Sequence, residues 1–508
     1  MKAVRQSIAF STIDKYLSQI LLITTTAVMA RILTPAETGL YMTANAVILL
    51  ADNFRSFGVG IYIVQEKQLS RAMVQSAFTI MLTLSVVAGA AIYLGAGSIA
   101  SFYASPDLKA LLLVAALGFF TIPFSSPIMA LLQREMAFRA VACINVAAAL
   151  VAFVITITLG LAGLGPVSYV WGSLGASLVT VVLALVARPK FWIFRLSFAR
   201  IGPLLSFGVV SSLITVSNMA YELLPRLAFG KFLGLDAVGL YSRAVTICQL
   251  PDRVVISALH PVILPAFAAQ ARAGDSLKKG YLHGLSLMTA VQWPALIMLS
   301  LLADPVVSIL LGQQWGGVPP LVRIMALANM ALAPAVLTFP VLVSAGRIKD
   351  ALWSSVISLP PSFLIIIGAA FIGLDAVAAS LLVVAPLQMF VVYPFIRRAI
   401  DLQWTELLRA ARHSALLALG TALVPILVIL GSPTGFDFDW IRTIVALVGG
   451  AAGWLATLVL VDHPVKSEVI EIWSFLSEKA SISATARRVT SKTDSESSCG
   501  KAVRRASA

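Results

Sequence analysis

Residues 33–41 read Leu33-Thr-Pro-Ala-Glu-Thr-Gly-Leu-Tyr41, and residues 233–241 read Leu233-Gly-Leu-Asp-Ala-Val-Gly-Leu-Tyr241. At a fixed offset of 200, Leu33, Gly39, Leu40, Tyr41, Ala44, Leu50 and Asp52 coincide with Leu233, Gly239, Leu240, Tyr241, Ala244, Leu250 and Asp252, and Arg31 meets Lys231. Each copy follows a long apolar run and opens another, so each reads as a turn between two membrane helices. An ungapped repeat of this kind marks an internal duplication, and chains built from two like halves are common among transporters. Glu37 is replaced by Ala237 in the second copy, so the turn is read as a joint rather than a site.

The rest of the chain fits that reading. Of 508 residues, 59% are hydrophobic and 12% are charged, against roughly 25% charged in a soluble domain. The apolar residues fall in runs of about 20, the length that crosses a ~30 Å hydrocarbon core at 1.5 Å per residue. Strands of a membrane barrel, about ten alternating residues each, do not match those runs. The expectation is an all-α integral membrane protein with spans near 13–32, 39–61, 74–96, 108–132, 141–161, 167–187, 204–230, 239–260, 284–302, 319–344, 351–372, 376–396, 411–430 and 441–461. These are numbered 1 to 14 in chain order.

The net charge of +14 tests that count. With the N-terminus inside, the even-numbered connections are cytoplasmic. They carry seventeen Lys or Arg, counting the edge residue Arg412: Lys67 and Arg71 in the first, then Arg134 and Arg139, and so on to Arg397, Arg398, Arg409 and Arg412. The odd connections hold almost no Lys or Arg, only Arg31 and Lys231 at helix ends, and otherwise acids such as Asp107, Asp304, Asp437 and Asp439. This is the positive-inside pattern, with both termini cytoplasmic. It accounts for the basic balance without nucleic acid. Three scattered cysteines, Cys143, Cys248 and Cys499, make neither a disulfide framework nor a zinc site.

The 200-residue offset pairs span 1 with span 7 and span 2 with span 8. It implies an N-lobe of six helices in 1–190 and a C-lobe of six in 200–398. Spans 13 and 14 follow in 411–461, and 462–508 is a basic cytoplasmic tail, partly disordered, opening with a surface helix at 465–480. Short outer connections leave no room for a soluble catalytic domain, and no phosphate loop, nucleophile elbow or metal spacing occurs. The chain reads as a non-enzyme with no cofactor.

Ionisable residues inside a span cost roughly 2.5–3.5 kcal/mol each on insertion scales and mark a cavity or a partner. Here they concentrate in the duplicated spans: Asp14 and Lys15 in span 1, Asp52 and Arg55 in span 2, Glu222 and Arg226 in span 7, Arg243, Asp252 and Arg253 in span 8. Ser211, Thr215, Asn218, Glu222 and Arg226 share one stripe of span 7, and Asn45, Asp52 and Arg55 share a face of span 2. The bland reading is self-pairing, because Asp52 with Arg55 and Glu222 with Arg226 have (i, i+3) and (i, i+4) spacing. Confinement of the charges to the duplicated spans favours a water-filled cavity between two lobes. Pro225 removes one helix hydrogen bond beside Glu222 and Arg226, so span 7 is expected to bend there. Gly449, Gly450 and Gly453 in span 14 are expected to serve close helix packing.

The stretches Arg31-Ile-Leu-Thr-Pro-Ala-Glu-Thr-Gly-Leu-Tyr41, Leu131-Leu-Gln-Arg-Glu-Met-Ala-Phe-Arg139, Leu250-Pro-Asp-Arg253 and Leu310-Leu-Gly-Gln-Gln-Trp315, within fourteen spans, carry a resemblance. From residue 1 to about 461 the chain resembles the bacterial polysaccharide transporter family of the multidrug/oligosaccharidyl-lipid/polysaccharide superfamily. The resemblance implies a V-shaped bundle in the bacterial inner membrane. It would pass an undecaprenyl-diphosphate-linked oligosaccharide from the cytoplasmic to the periplasmic leaflet by alternating access, for exopolysaccharide, capsule or O-antigen synthesis. Arg55, Arg226, Arg243, Arg253 and Lys15 would meet the diphosphate, and Asn45, Ser211, Thr215 and Asn218 the sugars. Glu222, Asp52, Asp252 and Asp14 are candidates for coupling to H⁺ or Na⁺, and polymerase and chain-length proteins are candidate partners. In the lipid II flippase branch, helices 13 and 14 help form a groove for the lipid tail, which the resemblance extends to this chain. That branch has arginines along helix 1 where Gln19 and Thr25 stand here. A cation-coupled multidrug exporter, a membrane glycan polymerase or ligase, and a lipid II flippase are the alternative readings.

Overall fold

The computed structural model describes the chain from Lys2 to Lys466, except Lys67, Arg200, 254–262, 264–265, 268–269, Asp275, 433–434, 437–438 and Asp462. It describes no side chain for residues 2–13, nor, among others, for Ser211, Thr215, Asn218 and Glu222. Cys499 and nearly all of the tail, including the expected surface helix beyond Lys466, lie outside the described residues.

Long helices follow the apolar runs. They are α1 (Lys2–Ile32), α2 (Pro35–Ser56), the short α3 (Val59–Gln65), α4 (Arg71–Phe102), α5 (Asp107–Arg134), α6 (Phe138–Leu161), α7 (Val167–Ala187), α8 (Ile201–Phe232) and α9 (Leu235–Cys248). The second half continues with α10 (Leu277–Leu301), α11 (Ala303–Leu310), α12 (Val318–Met330), α13 (Ala333–Val336), α14 (Thr338–Ser344), α15 (Ile348–Ala370), α16 (Leu374–Ile400), α17 (Trp404–Leu430) and α18 (Trp440–Leu460). Among the described residues, nine helices are long and apolar enough to cross a membrane, or ten if a bent pair is one span. The charged α1 and α2 are not among the nine.

Three expected spans are interrupted among the described residues. Span 8 leaves α9 at Cys248 with a turn at Gln249, and its part from 254 to 260 lies outside the described residues. Span 2 does not run unbroken to residue 61: α2 stops at Ser56, where Phe57 (φ 45°) and Gly58 (φ 63°) turn left-handed before α3 begins. Span 10 is bent by 60° between α12 and the following Ala333–Ser344 segment. Pro334 denies a hydrogen bond there, and neighbours occupy nearby carbonyls: the Trp293 indole donates to Met330 O (3.0 Å) and the Tyr281 hydroxyl to Pro334 O (3.0 Å). Span 7, in contrast, is one helix through Pro225.

Each half of the chain has its own apolar cores. Phe78, Met81, Ile128 and Ile193 pack together in the N-terminal half, as do Leu108, Leu111, Leu112 and Phe119. Leu321, Val322, Val377 and Trp315 form one core of the C-terminal half, and Tyr281, Leu285, Tyr393 and Ile396 another. Lipid is as apolar as leucine, so these cores gain from close packing rather than from leaving water. The glycines of α18 fulfil their expectation: a Cβ at Gly453 would overlap the Gly420 carbonyl of α17, one at Gly449 would overlap Val424, and one at Gly450 would crowd Met298.

The two halves meet along α2, α8 and α9, and the repeated turn lies at that seam. In the first copy Thr34 caps α2, its hydroxyl accepting from Glu37 N–H, while the Glu37 carboxylate accepts from Thr34 N–H (2.8 Å). Glu37 is thus spent on the helix start, and Gly234 (φ 88°) makes the second turn without a side-chain cap. The glycine that both copies share allows a close approach. A Cβ at Gly39 would overlap the Leu235 carbonyl, and one at Gly239 would overlap the Pro35 carbonyl. The contact is reciprocal, as are its flanks. Arg31 of the first half donates to Ile309 O of the second (2.9 Å), and Lys231 of the second donates to Phe102 O of the first (2.8 Å). The Trp315 indole donates to Ala30 O (2.7 Å) and Gln314 to Leu33 O (2.9 Å). These bonds fasten the halves at the expected outer end.

Along its length α17 is held to α10 and α18 to α17, and beyond α18 the chain folds back onto α17. Trp454 donates to Ala290 O (3.0 Å), and His463, 2% exposed, sits against Ser414. His463 Nδ1 accepts from Val465 N–H (3.1 Å), leaving Nε2 3.1 Å from Ser414 Oγ. Burial, with His413 nearby, pushes this imidazole from 6.5 down to about 4.

A His whose folded pKa is depressed contributes stability above its unfolded value that is lost as pH falls. The melting temperature in detergent should therefore drop progressively from pH 6.5 towards pH 4, and the drop should flatten in His463→Gln; equal slopes in both proteins would contradict the assignment. At the seam, Gly239→Val should force the halves apart, so that a Met42→Cys thiol reacts with a membrane-impermeant maleimide only when the Gly239→Val substitution is also present. Labelling that ignores the substitution would contradict the glycine contact.

Candidate functional site

Beneath the fastened end lies a cavity of about 520 Å³, bounded by α1, α2, α6, α7, α8 and α9 and by the stretch just after α9. Three arginines line it, Arg226, Arg243 and Arg253, and no acid does among the described residues. The remaining wall is rich in hydroxyls and amides, from Ser18, Thr25, Thr156, Ser173, Asn45 and Gln249. A separate cleft of about 690 Å³, lined among others by Arg31, Asp304, Asp439 and Trp440, carries charges of both signs and so lacks this selectivity.

The arginines of the central cavity are held differently. Arg243 is 2% exposed, with its guanidinium 5.5 Å above the Trp315 ring and Nη2 3.4 Å from the Tyr169 hydroxyl. Tyr169 stacks on Tyr41 at 4.3 Å. Because Tyr41 and Tyr169 come from the first half and Arg243 and Trp315 from the second, Arg243 sits in the wall where the halves join. Arg253 is half-buried and donates to Gln249 Oε1 (3.1 Å), one turn back on the same stretch. Arg226 is also half-buried, on α8 one residue after Pro225.

The other expected site residues are dispersed. Arg55 does not line this cavity. It is 5% exposed, bonded through Nε (2.9 Å) and Nη2 (2.6 Å) to Asp52, and lies in the wall of an apolar groove on the lipid side. Asp52 lines a smaller pocket between α2, α5 and α7, which Asn45 shares with the central cavity. The common face of span 2 thus divides among three spaces, since α2 packs against α4, α5, α8 and α9. Asp252 accepts from Gln292 of α10 (2.5 Å), and Asp14 accepts from Asn145 of α6 (2.9 Å) and from Ser18 (3.3 Å). Lys15 is exposed on α1 and is not among the lining residues of the cavity. Glu222, Ser211, Thr215 and Asn218 belong to α8, and their side chains lie outside the described residues.

Sequence reasoning does not find the aromatic residues of the wall. Tyr41 is visible as part of the repeat, but its stacking with Tyr169 joins residues 128 positions apart, and no local pattern signals that.

A cavity that is arginine-lined, free of acids among its described residues and rich in hydroxyls, inside a membrane bundle, suits an anionic, polar solute. Comparisons with known proteins give the family. The family described as "Polysaccharide biosynthesis protein" matches residues 28–320. The chain is 25% identical over 308 residues to the lipopolysaccharide biosynthesis protein WzxC of Escherichia coli (strain K12), covering 60% of this chain and 62% of that protein, which is under two thirds of its length. It is 25% identical over 366 residues to the succinoglycan biosynthesis transport protein ExoT of Rhizobium meliloti (strain 1021), covering 70% and 72%. Among solved structures, the lipid II flippase MurJ in an inward closed conformation superposes with a TM-score of 0.71 at 12% identity, covering 89% of this chain and 98% of that one. An inward-facing multidrug resistance transporter of the MATE family gives 0.62 at 16% identity, covering 78% and 98%. These superpositions establish a shared helical transporter fold, and, with the family match spanning more than half of its length, the chain belongs to the polysaccharide biosynthesis protein family.

Proposed function

We propose that this protein is a flippase that carries an undecaprenyl-diphosphate-linked oligosaccharide from the cytoplasmic to the periplasmic leaflet of the bacterial inner membrane, with both termini cytoplasmic. The observation that carries the proposal is the central cavity with three arginines and no acid among its described lining residues. A diphosphate is an anion with many acceptor oxygens, and guanidinium groups are suited to it because they stay charged and donate in pairs. Neutral sugars need hydroxyl and amide partners, which Ser18, Thr25, Ser173 and Asn45 offer. The lipid tail stays in the bilayer while the head group crosses, so hydrocarbon never meets the cavity.

In this reading the six-helix lobes of the duplication rock about the cavity. The glycine seam is the closed outer gate, and its parting releases the head group. The basic connections keep both termini in the cytoplasm. Inward movement of H⁺ or Na⁺ drives the cycle, with Glu222 as first candidate and Asp52, Asp252 and Asp14 as the others. Polymerase and chain-length proteins take up the product outside.

The multidrug exporter alternative is disfavoured by the same wall: organic cations would meet three arginines there. A glycan polymerase would leave unpolymerised repeat units in the periplasm of a deletion strain, whereas a flippase deletion keeps them in the cytoplasmic leaflet.

Arg226→Ala and Arg253→Ala should each lower surface polysaccharide at least tenfold, as expected when a charge-assisted contact of about 1.5–3 kcal/mol is lost. Membrane levels and melting temperature should be unchanged. Normal export by both variants would overturn the cavity assignment. For coupling, Glu222→Gln should abolish export driven by an imposed proton or sodium gradient; normal driven transport places the coupling elsewhere.

A further inference from the structure

A second space opens on the lipid side of the seam, about 790 Å³ in volume and almost wholly apolar. Phe54 and Phe57 line it from the end of α2, Val87 and Ala88 from α4, and Ser212 from α8. It therefore spans both halves of the molecule. Its α4 wall runs from Leu84 to Ile99, about 22 Å at 1.5 Å per residue, long enough for a stretched hydrocarbon chain over most of a bilayer core. Phe54 (58% exposed) and Val87 (59% exposed) face outward, as groups that touch lipid would.

Two polar groups interrupt this wall. Arg55 spends Nε and Nη2 on Asp52, while its Nη1 is buried without a hydrogen-bond partner. Ser212 Oγ, across the seam, is likewise buried without one. Buried donors without acceptors are rare because they forgo water and gain nothing in return. A cation from α2 and a hydroxyl from α8 in the wall of one apolar groove together call for an amphiphile, with anionic oxygens at one end and hydrocarbon behind. Arg55 stands in the last turn of α2, at the end expected to be cytoplasmic, where a carrier loaded in the inner leaflet would arrive.

We infer that this groove, between α2, α4 and α8, holds the polyprenyl tail of the lipid-linked substrate, and that Arg55 and Ser212 receive its phosphate as the seam parts to admit it. The inference rests on the flippase reading and adds the side of the molecule from which the carrier is held. It places the tail away from α17 and α18, where the family resemblance puts it. The groove's position at the seam favours the carrier over a bystander phospholipid, since only the carrier's head group needs to pass between the halves.

The test is photo-crosslinking in cells making the polysaccharide. The photoreactive residue p-benzoylphenylalanine replaces Phe54 or Val87 in the groove, and Leu423 or Leu455, both exposed, on α17 and α18. Adducts are identified by mass spectrometry and by glycan-specific antibody. The expected result is a glycan-bearing polyprenyl adduct at positions 54 and 87, reduced roughly tenfold by Arg55→Gln, as for loss of one charge-assisted contact, and scarce at 423 and 455. Phospholipid adducts alone at 54 and 87, or carrier adducts confined to 423 and 455, would overturn the inference while leaving the flippase reading intact. That reading fails separately, if a deletion strain accumulates unpolymerised repeat units in the periplasm rather than in the cytoplasmic leaflet.

Discussion

Two glycines, Gly39 and Gly239, set how close the halves of this protein can come. Each stands where a side-chain carbon would strike a backbone carbonyl of the opposite half, Leu235 for one and Pro35 for the other. Helices approach this closely only where side chains are absent. The contact places the polar partners on either side within reach, so Arg31 and Lys231 each donate to a carbonyl across the seam. It also brings Tyr41 and Tyr169 against Arg243 and Trp315. The roof of the central cavity is a consequence of that one approach.

Charge inside the membrane is then handled in two ways. The carboxylates of Asp52, Asp252 and Asp14 accept from neighbours within their own half, Arg55, Gln292 and Asn145. Arg226, Arg243 and Arg253 instead line the space between halves. The first kind fixes helices relative to one another. The second gives the cavity its sign, and a sign is what separates an anionic from a cationic cargo.

Most of the fold can be read from sequence because apolar run length and charge alternation are local signals. Spans such as 167–187 match α7 to the residue. The broken spans are harder. Phe57 adopts a left-handed conformation that its residue type disfavours, and the break near Pro334 depends on Trp293 and Tyr281, which engage carbonyls of the bent segment from another helix. The site is readable only in part. Helical spacing puts Asn45, Asp52 and Arg55 on one face, but what that face meets depends on which helices surround α2. That is why one stripe supplies a central cavity, a side pocket and a lipid-side groove. The repeated turn is the reverse case. Its role as a joint is plain from the two copies, yet the glycines' partners are each other's turns, which only the assembled halves reveal.

If the glycine seam closes the outer end of the cavity, it must part there for the head group to leave. Ala36→Cys and Asp236→Cys put thiols one residue beyond the two carbonyls that the glycines meet, and a short bifunctional maleimide can join them in cells making the polysaccharide. Joining them should stop export of new polymer, while either single cysteine treated in the same way should export normally. Full export by the doubly joined protein would contradict a gate at the seam.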